Sequence, residues 1–200
     1  MPKEILDFMK FSQKLKNQKR DILMPDGTYE SVADHSWHLA LMVMLVHPKL
    51  EGKADLLRSL KMVLVHDLVE AEIGDLPYFE RDKDADLKAW KHKQEQKEIA
   101  RIREMISGDL GQEIYDLWHE FEEQKTEEAK FCKALDSMEA NYQAIMLEDI
   151  SYWDDSYYKS AFFKADKYCK HEPILHALNE EIKNRTEIEL NKLGLERPTN

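Results

Sequence analysis

Apolar residues recur at three-to-four spacing along almost the whole 200-residue chain, and strict alternation is scarce. With only 6 Gly and 6 Pro to interrupt it, this pattern predicts an all-α fold, a single domain over residues 1–200. A first amphipathic helix is expected over about Ile5 to Lys19. Asp26-Gly27, a tight-turn pair flanked by short apolar segments, leaves room for a short hairpin near residues 22–30. Ser31, with Asp34 three positions on, reads as an N-cap with a capping box, opening a helix that Pro48 stops after His47. A third helix is expected from about Ala54 to Ile73, closed by Gly74. After a polar segment, a long charged helix carries the stripe Leu87, Trp90, Ile99, Ile102 and Ile106. Further helices follow over about Gly111 to Glu123, from a Thr126 cap through Glu127 to Asp149, and onward from Pro173. The aromatic segment "SYWDDSYYKSAFFKADKY" gives no clear period.

The third helix is apolar around most of its circumference, with Leu56, Leu57, Leu60, Val63 and Leu64 on one flank and Met62, Val65, Val69 and Ile73 on another. A helix of that kind belongs in the interior, yet His66, Asp67 and Glu70 lie on it. An unpaired carboxylate there costs several kcal/mol, so Asp67 needs a hydrogen-bonded partner or a cation. A salt-bridged Asp beside a core His is the bland reading. The sharper one has His66 and Asp67 converging on an ion, with Glu70 a turn away holding a water. Two further places could contribute. "SVADHSWH" sets His35 and His38 near the start of a buried helix, and spacing does not choose between them. In "FCKALDSMEAN", Asp136 is flanked one turn away by the small residues Cys132 and Ala140, which leaves space for its carboxylate to face a cavity; taken alone, it reads as a surface Asp near Lys133.

Charged residues make up 34% of the chain and the net charge is -11, a field that repels nucleic-acid polymers and anionic lipid surfaces. A small phosphorylated substrate stays compatible, because a metal ion and a few local cations overturn the sign inside one pocket. Cys132 and Cys169 form no framework and suit a reducing compartment. No charged-then-apolar leader opens the sequence, and no apolar run approaches the ~20 residues of a membrane span. The expected location is cytoplasmic.

Taken in order, His35, His66-Asp67 and Asp136 resemble the H…HD…D signature of the HD superfamily of metal-dependent phosphohydrolases. The blocks "ESVADHSWHLALM", "LVHDLVEAEIGDLP" and "YDLWHEFEEQKTEEAKFCKALD" resemble its 5'-deoxynucleotidase-like branch. That resemblance implies an HD-type helical bundle acting on a nucleotide substrate, most directly (deoxy)nucleoside 5'-monophosphates, and a homodimer. It implies one divalent metal ion per chain (Mn, Co, Ni, Fe, Zn or Mg) held by His35, His66, Asp67 and Asp136. It further implies Glu70 as the catalytic carboxylate, Arg20 as the phosphate-binding cation and Asp75 at the nucleotide sugar. Asp21 follows Arg20 where the bacterial deoxynucleotidases place an aromatic residue that helps reject ribose, so sugar selectivity stays open. Lys14, Lys16 and Lys19 are alternative cations for the phosphate.

Competing readings keep the same cradle for other ends. One hydrolyses a triphosphate or an alarmone, though the Glu-Asp signature of alarmone hydrolases is missing. Another is a non-catalytic nucleotide-sensing or adaptor protein, against which an intact Glu70 argues. His92 and His119 lie where a second metal would find ligands, but both fall on charged amphipathic helices, where histidines are ordinarily solvated.

Overall fold

The structure is a computed structural model that describes residues 2–75, 84–146 and 158–199. Helix α1 (Pro2–Ser12) runs into a 3-10 turn, Gln13–Lys16, and then into strand β1 (Lys19–Leu23). The helix expected to reach Lys19 therefore stops earlier. The chain turns extended there because the Gln18 carbonyl accepts from Val32 N at 2.9 Å, tying this segment to the second strand. Strand β2 (Tyr29–Ser31) pairs antiparallel with β1, Lys19 against Ser31 and Leu23 against Tyr29, with a register shift between. Asp26 closes the intervening turn by accepting from Thr28 N at 2.9 Å and Thr28 Oγ1 at 2.7 Å. The expected hairpin is present, and Arg20 and Glu30 lie in its irregular part.

Helix α2 (Val32–Val46) begins at the predicted cap. Ser31 Oγ accepts from Asp34 N at 3.1 Å while Asp34 Oδ2 accepts from Ser31 N at 3.0 Å. Asp55 caps α3 (Leu56–Val65). The third helix expected to run unbroken to Ile73 is interrupted after Val65. Bonding passes from His66 N→Met62 O to the tighter Leu68 N→Val65 O and Glu70 N→Asp67 O, before α4 (Glu70–Ile73) takes a single turn. This break puts the His66-Asp67 pair in a turn between two helical pieces. Gly74, at φ +80, ends α4 where a side chain would be strained and would also crowd Gln18.

Helices α5 (Ala85–Met105), α6 (Asp109–Glu123) and α7 (Glu127–Ile145) follow, with Asp84 and Thr126 as caps of α5 and α7. The last elements are a π-helical turn, Ser160–Lys164, then α8 (Asp166–Cys169) and α9 (Pro173–Lys192). Part of the aromatic segment and the expected end of α7 at Asp149 lie outside the described residues. Leu39, Val43, Met62, Leu135, Met138 and Phe162 belong to one buried cluster, and Val32, Val69, Ile99, Ile102 and Trp118 to a second. Helix α7 is the most enclosed, burying Phe131, Leu135 and Met138 together with Glu139. Asp136 thus stands on an interior helix, where the cost of a lone carboxylate is highest.

Helix α5 departs from its predicted stripe. Ile99, Ile102 and Ile106 are buried, but Trp90 is 51% exposed while Lys91 next to it is 4% exposed. Carboxylates on its inner side draw the lysine in.

Candidate metal centre

Side chains from α2, from the break between α3 and α4, and from α7 meet in one place. His35 Nε2 lies 3.3 Å from Asp136 Oδ1 and 3.9 Å from Asp67 Oδ2. His66 Nε2 lies 3.1 Å from Asp67 Oδ2 and 3.9 Å from Asp136 Oδ1. Donors about 2.1 Å from a common cation stand about 3.0 Å apart when neighbouring and about 4.2 Å when opposite, so these separations suit one ion. His35, His66 and Asp136 each bring a ligand-type atom within 4.8 Å of the others.

The hydrogen bonds on the far side of each ring fix which nitrogen is free. His66 Nδ1 is 2.8 Å from the Val63 carbonyl, an acceptor only, so Nδ1 carries the proton. His35 Nδ1 is 2.5 Å from Glu139 Oε2 and donates to it. Both Nε2 atoms are buried and neither has a hydrogen-bond partner among the described residues. Two imidazole nitrogens aimed at one point between two carboxylates fit a divalent ion of borderline character. A proton competes for the same place. In the metal-free cluster, burial and Arg20 oppose protonation of His35, but Glu139 and Asp136 outweigh them and raise it to about 10.

A surrounding layer holds these groups. Lys133 donates to Asp136 Oδ2 at 2.9 Å, leaving Oδ1 toward the histidines, and sits 4.7 Å over the Phe121 ring. Burial pushes the Asp136 carboxyl up, yet Lys133 and His35 hold it well below the usual range. Glu139 also accepts from His38 Nδ1 at 2.8 Å; of the two histidines the sequence offered, both bond Glu139, and it is His35 whose second nitrogen faces Asp67 and Asp136. Glu30, His35 and Glu139 form a second acidic group, but the Arg20 guanidinium already supplies positive charge there.

Arg20 lies at the rim, 13% exposed. Its Nη1 is 3.7 Å from Asp67 Oδ2, and its Nε is 3.0 Å from Glu30 Oε2, within ion-pair range though not aligned as a hydrogen bond. Asp75 is the carboxylate that acts most strongly on it. Burial, then Asp67 and Asp75, raise the Glu70 carboxyl well above its usual range, opposed by Lys91 and Arg20. Glu70 Oε1 accepts from Lys91 at 3.3 Å, and its buried Oε2 has no partner among the described residues. His35, His66, Asp67, Asp136 and Arg20 are therefore joined in a chain of contacts of 3.1 to 3.9 Å, with Glu70 and Asp75 electrostatically linked to Arg20. His92 (61% exposed) and His119, packed between Tyr115 and Trp118, belong to neither metal-type group.

The HD domain family model matches residues 12–189. The chain belongs to the HD domain family. It is 35% identical over 182 residues to "5'-deoxynucleotidase HDDC2" of Dictyostelium discoideum, covering 86% of this chain and 93% of that one. It is 35% identical over 150 residues to the protein of the same name in Xenopus laevis, covering 74% and 71%. The solved structure of a predicted metal-dependent phosphohydrolase from Magnetospirillum magnetotacticum MS-1 superposes with a TM-score of 0.73 at 25% identity, covering 96% of this chain and 97% of that one.

HD domains bind divalent metal, and this one has a donor group able to hold it. The sequence reading missed the layer that orients that group: Glu139, Glu30 and Lys91, with Lys133 treated only as a surface neighbour of Asp136. Glu139 had a signal, since it follows Asp136 by three residues and shares its helix face. Lys91 had none, lying in a run of charges that reads as solvated.

Proposed function

We propose that this HD protein is a metal-dependent phosphomonoesterase hydrolysing (deoxy)nucleoside 5'-monophosphates to nucleoside and inorganic phosphate. The observation that carries the reading is the pair of buried, unpartnered Nε2 atoms of His35 and His66 facing Asp67 and Asp136. The names of the Dictyostelium and Xenopus relatives supply the substrate class. In this reading the whole chain, 1–200, works as one domain.

His35, His66, Asp67 and Asp136 would hold the ion. Bound there, a divalent cation supplies Lewis-acid chemistry, lowering the pKa of water and offsetting charge on the phosphoryl oxygens. Glu70 is the catalytic base: its unpaired Oε2 accepts the proton of the attacking water. Arg20 brings a planar fork to the phosphate, matching two oxygens at once as a lysine does not. Its contacts with Glu30 and Asp67 hold that fork at the rim before substrate arrives. Asp75, just beyond the Gly74 turn and electrostatically close to both Arg20 and Glu70, is the group for the sugar hydroxyl.

The test is a screen of nucleoside mono-, di- and triphosphates for phosphate or pyrophosphate release with Mn, Co, Ni, Fe, Zn and Mg in turn. Metal-stimulated phosphate release from monophosphates is expected. Silence with every deoxynucleoside monophosphate overturns the reading, and pyrophosphate release from triphosphates replaces it with hydrolysis of nucleoside triphosphates to monophosphates.

We also infer a homodimer and a cytoplasmic location. Exposed Trp37, Met44 and Leu45 on α2, with Leu57 and Leu64 on α3, offer apolar surface for a second copy. No helix among the described residues is long and apolar enough to cross a membrane. A monomer mass by light scattering removes the dimer, and a membrane-pelleting fraction removes the location.

A further inference from the structure

Helix α5 buries an ammonium while exposing the indole beside it. Lys91 is 4% exposed and Trp90 51%. Lys88, Lys93 and Lys97 on the same helix are exposed. Desolvating a lysine is unfavourable unless charge meets it. Here Glu70 Oε1 stands 3.3 Å and Glu95 Oε1 3.7 Å from Nζ, with Asp75 and Asp67 acting from further off. The lysine is thus committed to the inner face of α5, opposite the single turn of α4 that carries Glu70.

The two oxygens of Glu70 differ. Oε1 accepts from Lys91, whereas Oε2 is equally buried and has no partner among the described residues. A carboxylate at the end of a glutamate rotates in a broad, shallow well, so a contact at one oxygen sets where the other points. A lysine does this with one point charge. An arginine fork would engage both oxygens and leave none for the proton of the attacking water.

Resting on the hydrolase reading above, we propose that Lys91 is the positioning residue of the base: it anchors Glu70 Oε1 so that Oε2 is presented to the attacking water. Lys91 touches neither substrate nor ion in this arrangement. Its contribution passes entirely through Glu70.

The test is a double-mutant cycle on the metal-loaded full chain, with Lys91→Met, Glu70→Gln and their combination. Lys91→Met is expected to lower kcat by about 30-fold or more, with KM for a deoxynucleoside monophosphate within about twofold and metal content unchanged. In the Glu70→Gln background the same change is expected to alter kcat by less than about twofold, because the group it acts through is already disabled. Equal losses in both backgrounds, a rise in KM at constant kcat, or loss of the metal each overturn the proposal. Lys91→Gln carries the same measurements should the methionine variant not fold. A crystal structure of the lysine variant reads the geometry without any activity: Glu70 is expected to turn from its present place, and an unmoved carboxylate overturns the proposal. Should the wild-type protein release no phosphate from any nucleotide, the hydrolase reading falls, and that structure still judges whether Lys91 sets Glu70.

Discussion

Among the described residues, two clusters of buried polar groups invite comparison, and they are built to opposite rules. The first joins α9 to its surroundings. Lys183, 4% exposed, pairs with Asp166 and with Glu180 Oε1 at 2.8 Å, and Asn179 Nδ2 donates to Asp166 Oδ1 at 2.8 Å. At the start of the same helix, Glu172 accepts from Glu51 N at 3.0 Å and Gly52 N at 2.7 Å. Every charge here meets its complement within the chain. The second cluster gathers Glu30, Asp67, Glu70, Asp136 and Glu139 around Arg20, Lys91 and Lys133, so its carboxylates outnumber its permanent cations. The Nε2 atoms of His35 and His66 and one Glu70 oxygen are left without hydrogen-bond partners among the described residues. Charges buried for architecture are paired by the fold, where a neutral amide oxygen, Asn179 Oδ1, is left without a partner among the described residues, whereas ionisable groups buried for chemistry are left for something that arrives later. That contrast, rather than burial or charge alone, locates the site.

Disabling the second cluster gives the largest effect. Glu70→Gln, close in shape but a poor base, is expected to lower kcat by about 10³-fold while the protein still takes up one ion, read by metal analysis alongside turnover. If activity survives within about tenfold, Glu70 is not the base and the unpaired oxygen has another purpose. A smaller effect comes from the ion itself. At 100- to 1,000-fold above its Kd, it stabilises the folded state by about 2.7 to 4 kcal/mol, so chelation is expected to lower Tm by roughly 5–15 °C. Uptake should also depend on pH in a definite direction. His35 in the metal-free protein keeps its proton up to about 10, so below that the ion must displace it. Affinity then rises with pH by about tenfold per unit below that point, with proton release measurable by calorimetry in buffers of different ionisation enthalpy. A pH-independent affinity below that point shows that binding displaces no proton from His35.

Much of the second cluster was legible in the sequence because its residues contradict their surroundings. His66 and Asp67 stand in an apolar run, and the Ser31–Asp34 capping box fixed the start of the helix that carries His35. The hairpin near residues 22–30 followed from Asp26-Gly27. What periodicity did not show is the break after Val65, since Leu68, Val69 and Ile73 keep the apolar pattern going while the backbone tightens. The inward turn of Lys91 was hidden for a related reason. Binary patterning assigns lysine to water and tryptophan to the core, and the carboxylates that meet Lys91, Glu70 on α4 and Glu95 on its own helix, reverse that for the lysine. The α9 cluster was not legible at all. Asp166, Asn179, Glu180 and Lys183 sit in polar helical sequence, and their meeting depends on how α8 packs against α9.

The smallest expected effect belongs to that first cluster. Lys183→Met removes the buried ammonium and leaves Asp166 and Glu180 without it. Breaking a fully buried pair costs about 3–5 kcal/mol, but Asp166 and Glu180 are 37% and 40% exposed and water screens what they lose. A destabilisation of about 1 kcal/mol is therefore expected, a Tm drop of roughly 2–4 °C, with kcat, KM and metal content all unchanged. Glu70→Gln should show the reverse, a large loss of turnover with little change in Tm. If Lys183→Met instead lowers turnover several-fold at full metal occupancy, the two clusters are mechanically coupled through α7, and the division between groups buried for folding and groups buried for catalysis does not hold in this protein.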